Sequence, residues 1–569
     1  MNDSKNLILA VVLSALVLLG WTWAANKYFP TANPPSSKVE AGKQQPLPQP
    51  NAQPAGPSTP KQLQSVAAAL SSGPRVKIQT PSLSGSINLK GAQIDDLVLL
   101  NHRQTIAKDS PPVRLLSPLG TRGAYVAQFG WIGTGGGQVP ALDAQWTSDS
   151  PVLSPSRPVT LTTETAGGAR FQIKISVDDG SLFTLQQTVA NTSGQPVGVR
   201  PIGLVSRGQK SADVDSWTNQ VGPIGVFDDK ANYEVNWSDL DEGKAESFNA
   251  SSGWLGFTDK YWLTALAPQG SLNGEFRKSP SGGYQADYTL AALTVAPGQT
   301  VTSETRLFAG AKEKALLDRY EQAGIPMLTR AIDWGWFRWF MIPIFSLLLW
   351  LFHTLGNFGV AIICLTLIVR AIMFPIAQKQ FASMAAMRKI QPKMKALQER
   401  FKDDKQRQQQ EILKLYQAEK INPAAGCLPI LLQIPVFYAL YKVLLVSVEM
   451  RHQPFVAWIK DLSAPDPLSP FNLFGYAPWT LPTFLAIGVL PICVGATQWL
   501  SMKLNPQPMD PAQAQVFAIM PWFLVFIMAP FAAGLQLYWI TNNVLTMAQQ
   551  WWLYRKYGLH FSDTHPVHT

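Results

Sequence analysis

The spacing of hydrophobic and polar positions changes several times along this chain, and each change marks a boundary. Residues 7–25 are an unbroken apolar run with Lys5 before it and Trp21, Trp23, Lys27 and Tyr28 at its far end. That length and the interfacial tryptophans predict a signal-anchor helix over 1–26. A cleaved signal peptide ending near Ala24 and Ala25 is the competing reading. Residues 27–63 are mostly Pro, Gln, Ala, Ser and Asn, cannot bury a core, and predict a disordered tether. From 64 to 325 the pattern becomes short alternating runs, among them 75–80, 171–177, 182–190 and 300–308, punctuated by Gly, Pro, Asn and Asp. This is the signature of an all-β sandwich, closed by a short helix over 312–322. Within it, the aromatic-rich stretch 253–268 reads as sandwich core, with a binding face as the alternative.

Past the β region the chain turns apolar. Tryptophan is dense over 326–355, which also holds Asp333 and Arg338, and an amphipathic helix lying in the membrane interface is expected there. Residues 356–377 carry one charge, Arg370, in a run long enough to cross a hydrocarbon core of about 30 Å. Residues 378–420 are strongly basic, with apolar residues three or four apart, and predict a hairpin of two amphipathic helices turning at Asp403 and Asp404. Its Met-rich stripe suits a membrane surface, rRNA or an apolar client; a solvated hairpin without a partner is the plainer reading. Further spans are expected at 421–448, 479–501, 515–531 and 533–555, with an outer loop at 449–478 and a tail at 556–569. Lys442, inside the third span, is expected to snorkel toward Glu449. The excess of Lys and Arg over 378–420, with Arg555 and Lys556, places those segments in the cytoplasm. The expected architecture is therefore a polytopic α-helical membrane protein of six spans, both termini cytoplasmic, with an inserted all-β domain on the far side.

Composition agrees with a hybrid: 46% hydrophobic, 15% charged and 19 tryptophans in 569 residues. The net charge of +10 comes from cations concentrated in the hairpin, so it does not by itself argue for nucleic acid. His102 is the only histidine before His353, which argues against histidine acid–base chemistry or a multi-histidine metal site. Cys364, Cys427 and Cys493 have no zinc spacing, and no phosphate-binding loop occurs. No enzymatic activity, cofactor or metal is expected.

Polar residues instead recur inside the apolar spans: Thr366, Arg370, Gln433, Gln498, Trp539, Asn542 and Asn543. Burying an arginine in lipid costs between about 2.5 and more than about 10 kcal/mol, depending on how much water it keeps. No acidic residue lies in any predicted span to pair with Arg370. It is either a snorkelling arginine or the centre of a wet groove that draws in acidic segments. A transporter or channel is the alternative function, although a coupled carrier calls for an intramembrane carboxylate and no inverted repeat is visible. A periplasmic carbohydrate-binding protein with anchoring spans is another.

Four stretches carry a specific resemblance: Thr366-Leu-Ile-Val-Arg370 through Pro375, Asn422-Pro-Ala-Ala-Gly-Cys427 through Phe437, Ser447-Val-Glu449-Met-Arg451, and Gly534 through Asn543. They resemble the YidC/Oxa/Alb family of membrane-protein insertases, and the whole plan is similar to its Gram-negative bacterial members. The resemblance implies a five-helix core behind the anchor and a periplasmic β-supersandwich like that of sugar mutarotases, here non-catalytic. It implies a groove around Arg370, open to cytoplasm and lipid but closed to the periplasm, and lined by Thr366, Trp539, Gln433, Gln498 and Asn543. It also implies a client-receiving hairpin bearing Met384, Met387, Met394, Lys395, Asp403 and Asp404. The implied partners are nascent inner-membrane proteins, the Sec translocon, ribosome–nascent-chain complexes and the lipid bilayer, with no specific nucleic acid beyond rRNA. The tail after Arg555 departs from the family pattern in being short and weakly basic, and Lys442 is a second departure.

Overall fold

A computed structural model describes residues 63–213, 220–279, 282–335, 337–402, 404–419, 428–475, 487–504 and 511–556. The expected anchor, nearly all of the tether, and the tail beyond 556 lie outside these residues.

Two large sheets form the N-terminal part. One runs from edge strand Glu246–Ala250 through Leu272–Lys278, Tyr284–Thr289, Val197–Arg207, Tyr125–Thr134, Gln93–Arg103, Leu83–Asn88 and Arg75–Gln79 to Val152–Leu153. The other is centred on Gly253–Thr258, Trp262–Pro268, Thr300–Ala311, Leu182–Asn191 and Ala169–Val177. Alternation makes them pack: in Leu182–Asn191 every second residue is buried, and Phe183, Leu185 and Val189 meet Trp131, Phe129 and Ala127 of the opposing sheet in one core. Each such side chain stabilises the fold by about 1.5–3 kcal/mol through burial.

Strands Gly253–Thr258 and Trp262–Pro268 break the alternation, being buried on both faces almost throughout. Their outer face is covered by helix α1 (Lys314–Gln322) and a 3₁₀ turn over Leu328–Ala331. Trp254, Leu263 and Phe308 pack there with Leu317, Tyr320 and Leu328, and the Trp254 indole donates to the Pro326 carbonyl at 2.9 Å. The aromatic stretch 253–268 is therefore core on two sides.

Seven helices follow among the described residues: α2 (Arg338–Leu355), α3 (Phe358–Arg400), α4 (Lys405–Ala418), α5 (Leu428–Val446), α6 (Val489–Leu504), α7 (Pro511–Met528) and α8 (Ala533–Lys556). Gly356, in the left-handed region at φ 70°, ends α2, and Asn357 caps α3 by accepting from the Val360 N–H. By length and composition, two stretches among the described residues are able to cross a membrane: Arg338–Leu355 and Phe358–Gln378. Gln433–Val446 and Gln515–Met528 are apolar but shorter. Large apolar side chains stand exposed on these helices, including Ile372, Ile519, Trp522, Phe523 and Phe526. An exposed apolar surface of this kind marks a contact with membrane or with another protein. No boundary separates the second predicted span from the hairpin, since α3 runs unbroken through Pro375 and Pro392 to Arg400.

The loop after α5 ties the two parts together. Arg451 donates to the carbonyls of Arg103 and Gln104 at 2.6 and 3.0 Å and lies over the Trp262 ring. Glu449 accepts from the backbone N–H of Lys314 at 2.8 Å.

Candidate functional site: a polar seam between four helices

Helix α8 is where the polar residues of the helical part converge. At 3.6 residues per turn, Tyr538, Asn542 and Thr546 fall on one stripe and Trp539 and Asn543 on the next. The two stripes face three neighbours.

Toward α3, the Arg370 guanidinium donates from Nε to the Asn542 side-chain oxygen at 2.8 Å and from Nη2 to Thr546 Oγ1 at 2.6 Å. Nη2 also reaches the Asn542 carbonyl at 3.5 Å. Thr546 in turn donates its hydroxyl hydrogen to the Asn542 carbonyl at 2.6 Å, which leaves its lone pair aimed at the arginine. The charge is thus oriented by an amide and a hydroxyl, and no carboxylate forms an ion pair with it among the described residues. Neutral partners satisfy donors without cancelling the charge, so the guanidinium keeps its attraction for an anion.

Toward α5, Gln433 donates to the Tyr538 hydroxyl, and Phe437 meets Trp539 edge-on with ring centroids 5.0 Å apart. Toward α6, the Trp539 indole donates to Gln498 Oε1 at 3.2 Å and Asn543 donates to Thr497 Oγ1 at 3.2 Å. Arg370, Trp539, Gln433, Gln498 and Asn543 therefore share one seam.

Thr366 stands apart from it. Its hydroxyl donates to the Ile362 carbonyl one turn back, at 2.7 Å, and the residue is 1% exposed. A threonine in an apolar helix satisfies its own donor this way when no outside acceptor is in reach. Lys442 also differs from expectation. Its ammonium is hydrogen-bonded to Asp333 Oδ2 at 2.8 Å, and Glu449 is taken by Lys314 and Ser447.

In the hairpin, Asp404 caps α4 by accepting from the Arg407 N–H at 3.0 Å. Met394, expected on a client-facing stripe, is 1% exposed and so is covered by the protein itself. Lys393 and Glu419 join the two arms at 2.6 Å. The side chains of Met384, Met387, Lys395 and Asp403 lie outside the described residues.

Nothing in the sequence points to Thr497 or the partnership of Tyr538 with Gln433, and Asp333 stands out there only as a charge in the interfacial stretch. For Thr546, also missed, a signal was present: it follows Asn542 by four residues on the same helical face.

An all-β domain joined to apolar helices with a buried polar seam defines the class, a membrane protein carrying a β-sandwich outside the bilayer. Comparison with known proteins makes this specific. Residues 75–347 match the model of the YidC periplasmic domain, and residues 350–559 match that of the 60Kd inner membrane protein family. The membrane protein insertase YidC of Zymomonas mobilis subsp. mobilis is 46% identical over 563 residues, 98% of this chain and 96% of that protein. The insertase YidC of Bradyrhizobium diazoefficiens is 43% identical over 600 residues, 98% of this chain and 97% of that one. A solved structure of an active YidC insertase with its first transmembrane domain resolved covers 84% of this chain and 92% of its own, at TM-score 0.36 and 18% identity. The chain belongs to the YidC family of membrane protein insertases, inner-membrane proteins with a periplasmic β domain.

Proposed function

We propose that this chain is a membrane protein insertase and that its working element is the Arg370 seam. A client segment bearing carboxylates is drawn to the guanidinium, and its apolar helix then passes along α5 and α7 into the bilayer. In surroundings of effective dielectric about 20, an ion pair at about 4 Å is worth about 4 kcal/mol, enough to offset part of the cost of taking the client's charge out of water. Burial of the client's apolar surface in lipid completes the transfer without nucleotide or metal.

The observation that carries this reading is the pairing of Arg370 with the neutral Asn542 and Thr546. The topology that goes with it has six spans with both termini in the cytoplasm, α2 in the periplasmic interface, and the hairpin of α3 and α4 on the cytoplasmic side receiving clients. Nascent inner-membrane proteins are the substrates, delivered by ribosome–nascent-chain complexes or beside the Sec translocon. The test is insertion of a small client with an acidic tail by Arg370→Ala and Arg370→Lys. Loss with Ala and partial retention with Lys is the expected pair of results, because the charge that the client meets survives while the fork that Asn542 and Thr546 orient is lost. Full insertion by Arg370→Ala removes the arginine from the account.

A further inference from the structure

Lys442 sits on α5 with 1% of its side chain exposed, and the function above makes no use of it. An ammonium in so dry a place needs an anion held in a fixed position. Asp333 supplies one in a turn built for it. Its Oδ1 accepts from the Gly335 N–H at 2.9 Å, its Oδ2 accepts from Lys442 at 2.8 Å, and Gly335 takes φ 65°, a left-handed value suited to glycine. Trp334, between them, is buried with its ring 5.2 Å from that of Phe345 on α2.

The position of the pair matters as much as its geometry. Asp333 lies on the link between the β domain and α2, and Lys442 lies four residues before the end of α5. Just beyond, Val448 packs with Tyr261 and Ala311 of the β domain. Gln433, which reaches the α8 seam, is nine residues earlier on α5, roughly 13 Å down the helix. The ion pair therefore joins the β-domain end of one seam wall to the root of α2.

We propose that Asp333 and Lys442 form a positioning latch that holds the β-domain end of α5 against the root of α2 and keeps the Arg370 seam shut on that side. The proposal rests on the seam being the client path, but its test involves no client. The full chain, with its three cysteines replaced by serine and a reporter Thr497→Cys on α6, is placed in sealed vesicles with the β domain outward. A membrane-impermeant maleimide added outside then reads how open that end is. Lys442→Met and Asp333→Asn are each expected to raise the labelling rate about tenfold, and the double variant to label no faster than either single one. Asp333→Asn leaves every apolar contact in place, so it gives the readout even if Lys442→Met does not accumulate folded. Labelling as slow as in the parent, in whichever single variants fold, overturns the latch. A double variant in which the two single increases multiply overturns it as well. Failure of the arginine reading would appear separately, as full insertion by Arg370→Ala with the labelling response intact.

Discussion

Replacing Asn542 with leucine tests whether the orientation of Arg370, and not only its presence, matters. The substitution removes the 2.8 Å bond to Nε and leaves Thr546 Oγ1 at 2.6 Å and the backbone carbonyl at 3.5 Å. A hydrogen bond to a charged group contributes about 1.5–3 kcal/mol. The guanidinium is only partly covered and can recover some of this from water, so about 1.5 kcal/mol is the expected net loss, or roughly a tenfold fall in insertion rate. Thr546→Val, which keeps the shape and removes the acceptor, should give a loss of similar size. The assay is insertion of an acidic-tailed client into vesicles holding each variant. The decisive comparison is on an Arg370→Ala background, where neither substitution should cost anything further, because both act through the arginine. An undiminished tenfold loss from Asn542→Leu on that background would refute the reasoning and move the role of Asn542 to the packing of α8.

Two further predictions concern stability. Lys312, at the junction of the last strand and α1, is 3% exposed and donates to Thr258 Oγ1 at 3.0 Å; burial pushes its ammonium down to about 8. The folded value lies below the unfolded one, so the unfolded chain holds the extra proton above about pH 8. Stability should therefore rise between about pH 8 and 10, by up to about 3 kcal/mol, and Lys312→Met should flatten that rise in denaturant melts. Gly495 lies where α6 crosses α7, and a Cβ there would fall 2.3 Å from the Val525 side chain and 3.1 Å from the Pro521 carbonyl. Gly495→Ala should destabilise the helical part by about 1–3 kcal/mol, read as a lowered midpoint in thermal unfolding, and Val525→Ala should restore much of the loss.

How much of this was legible in the sequence follows from the range of the interactions involved. The alternation in 171–177, 182–190 and 300–308 is local, and the strands Ala169–Val177, Leu182–Asn191 and Thr300–Ala311 contain all three stretches. The two-sided burial of Gly253–Thr258 was less plain, because the cover over its second face comes from α1, some sixty residues on. In the helices, polarity inside an apolar run marked Arg370, Gln433, Gln498, Trp539 and Asn543, since each needs a partner wherever the neighbouring helices lie. The partners themselves depend on crossing geometry that no periodicity encodes. Lys442 shows the difference. Glu449 is seven residues away and was the natural choice, yet Asp333, 109 residues earlier in the chain, lies at hydrogen-bonding distance. Thr366 shows it in reverse, because helical spacing put it one turn from Arg370 while its hydroxyl bonds to Ile362.

The seam's asymmetry has a physical reason. Three helices, α3, α5 and α6, each present polar side chains inward, and all of these bond to α8. No hydrogen bond or ion pair joins the Arg370 guanidinium to a described residue of α5 or α6. Bonds confined to one helix let the other walls shift without breaking the arginine's own contacts, whereas a charge shared among all four would resist any opening. On the client path proposed above, a helix travelling along α5 parts the contacts that join α5 to α8, those of Phe437 with Trp539 and of Gln433 with Tyr538. That path leaves the bonds of Asn542 and Thr546 to Arg370 intact. The division of labour along α8 is by residue: Asn542 and Thr546 hold the cation, while Tyr538, Trp539 and Asn543 meet α5 and α6, so under the function proposed above those walls can part while the guanidinium stays aimed.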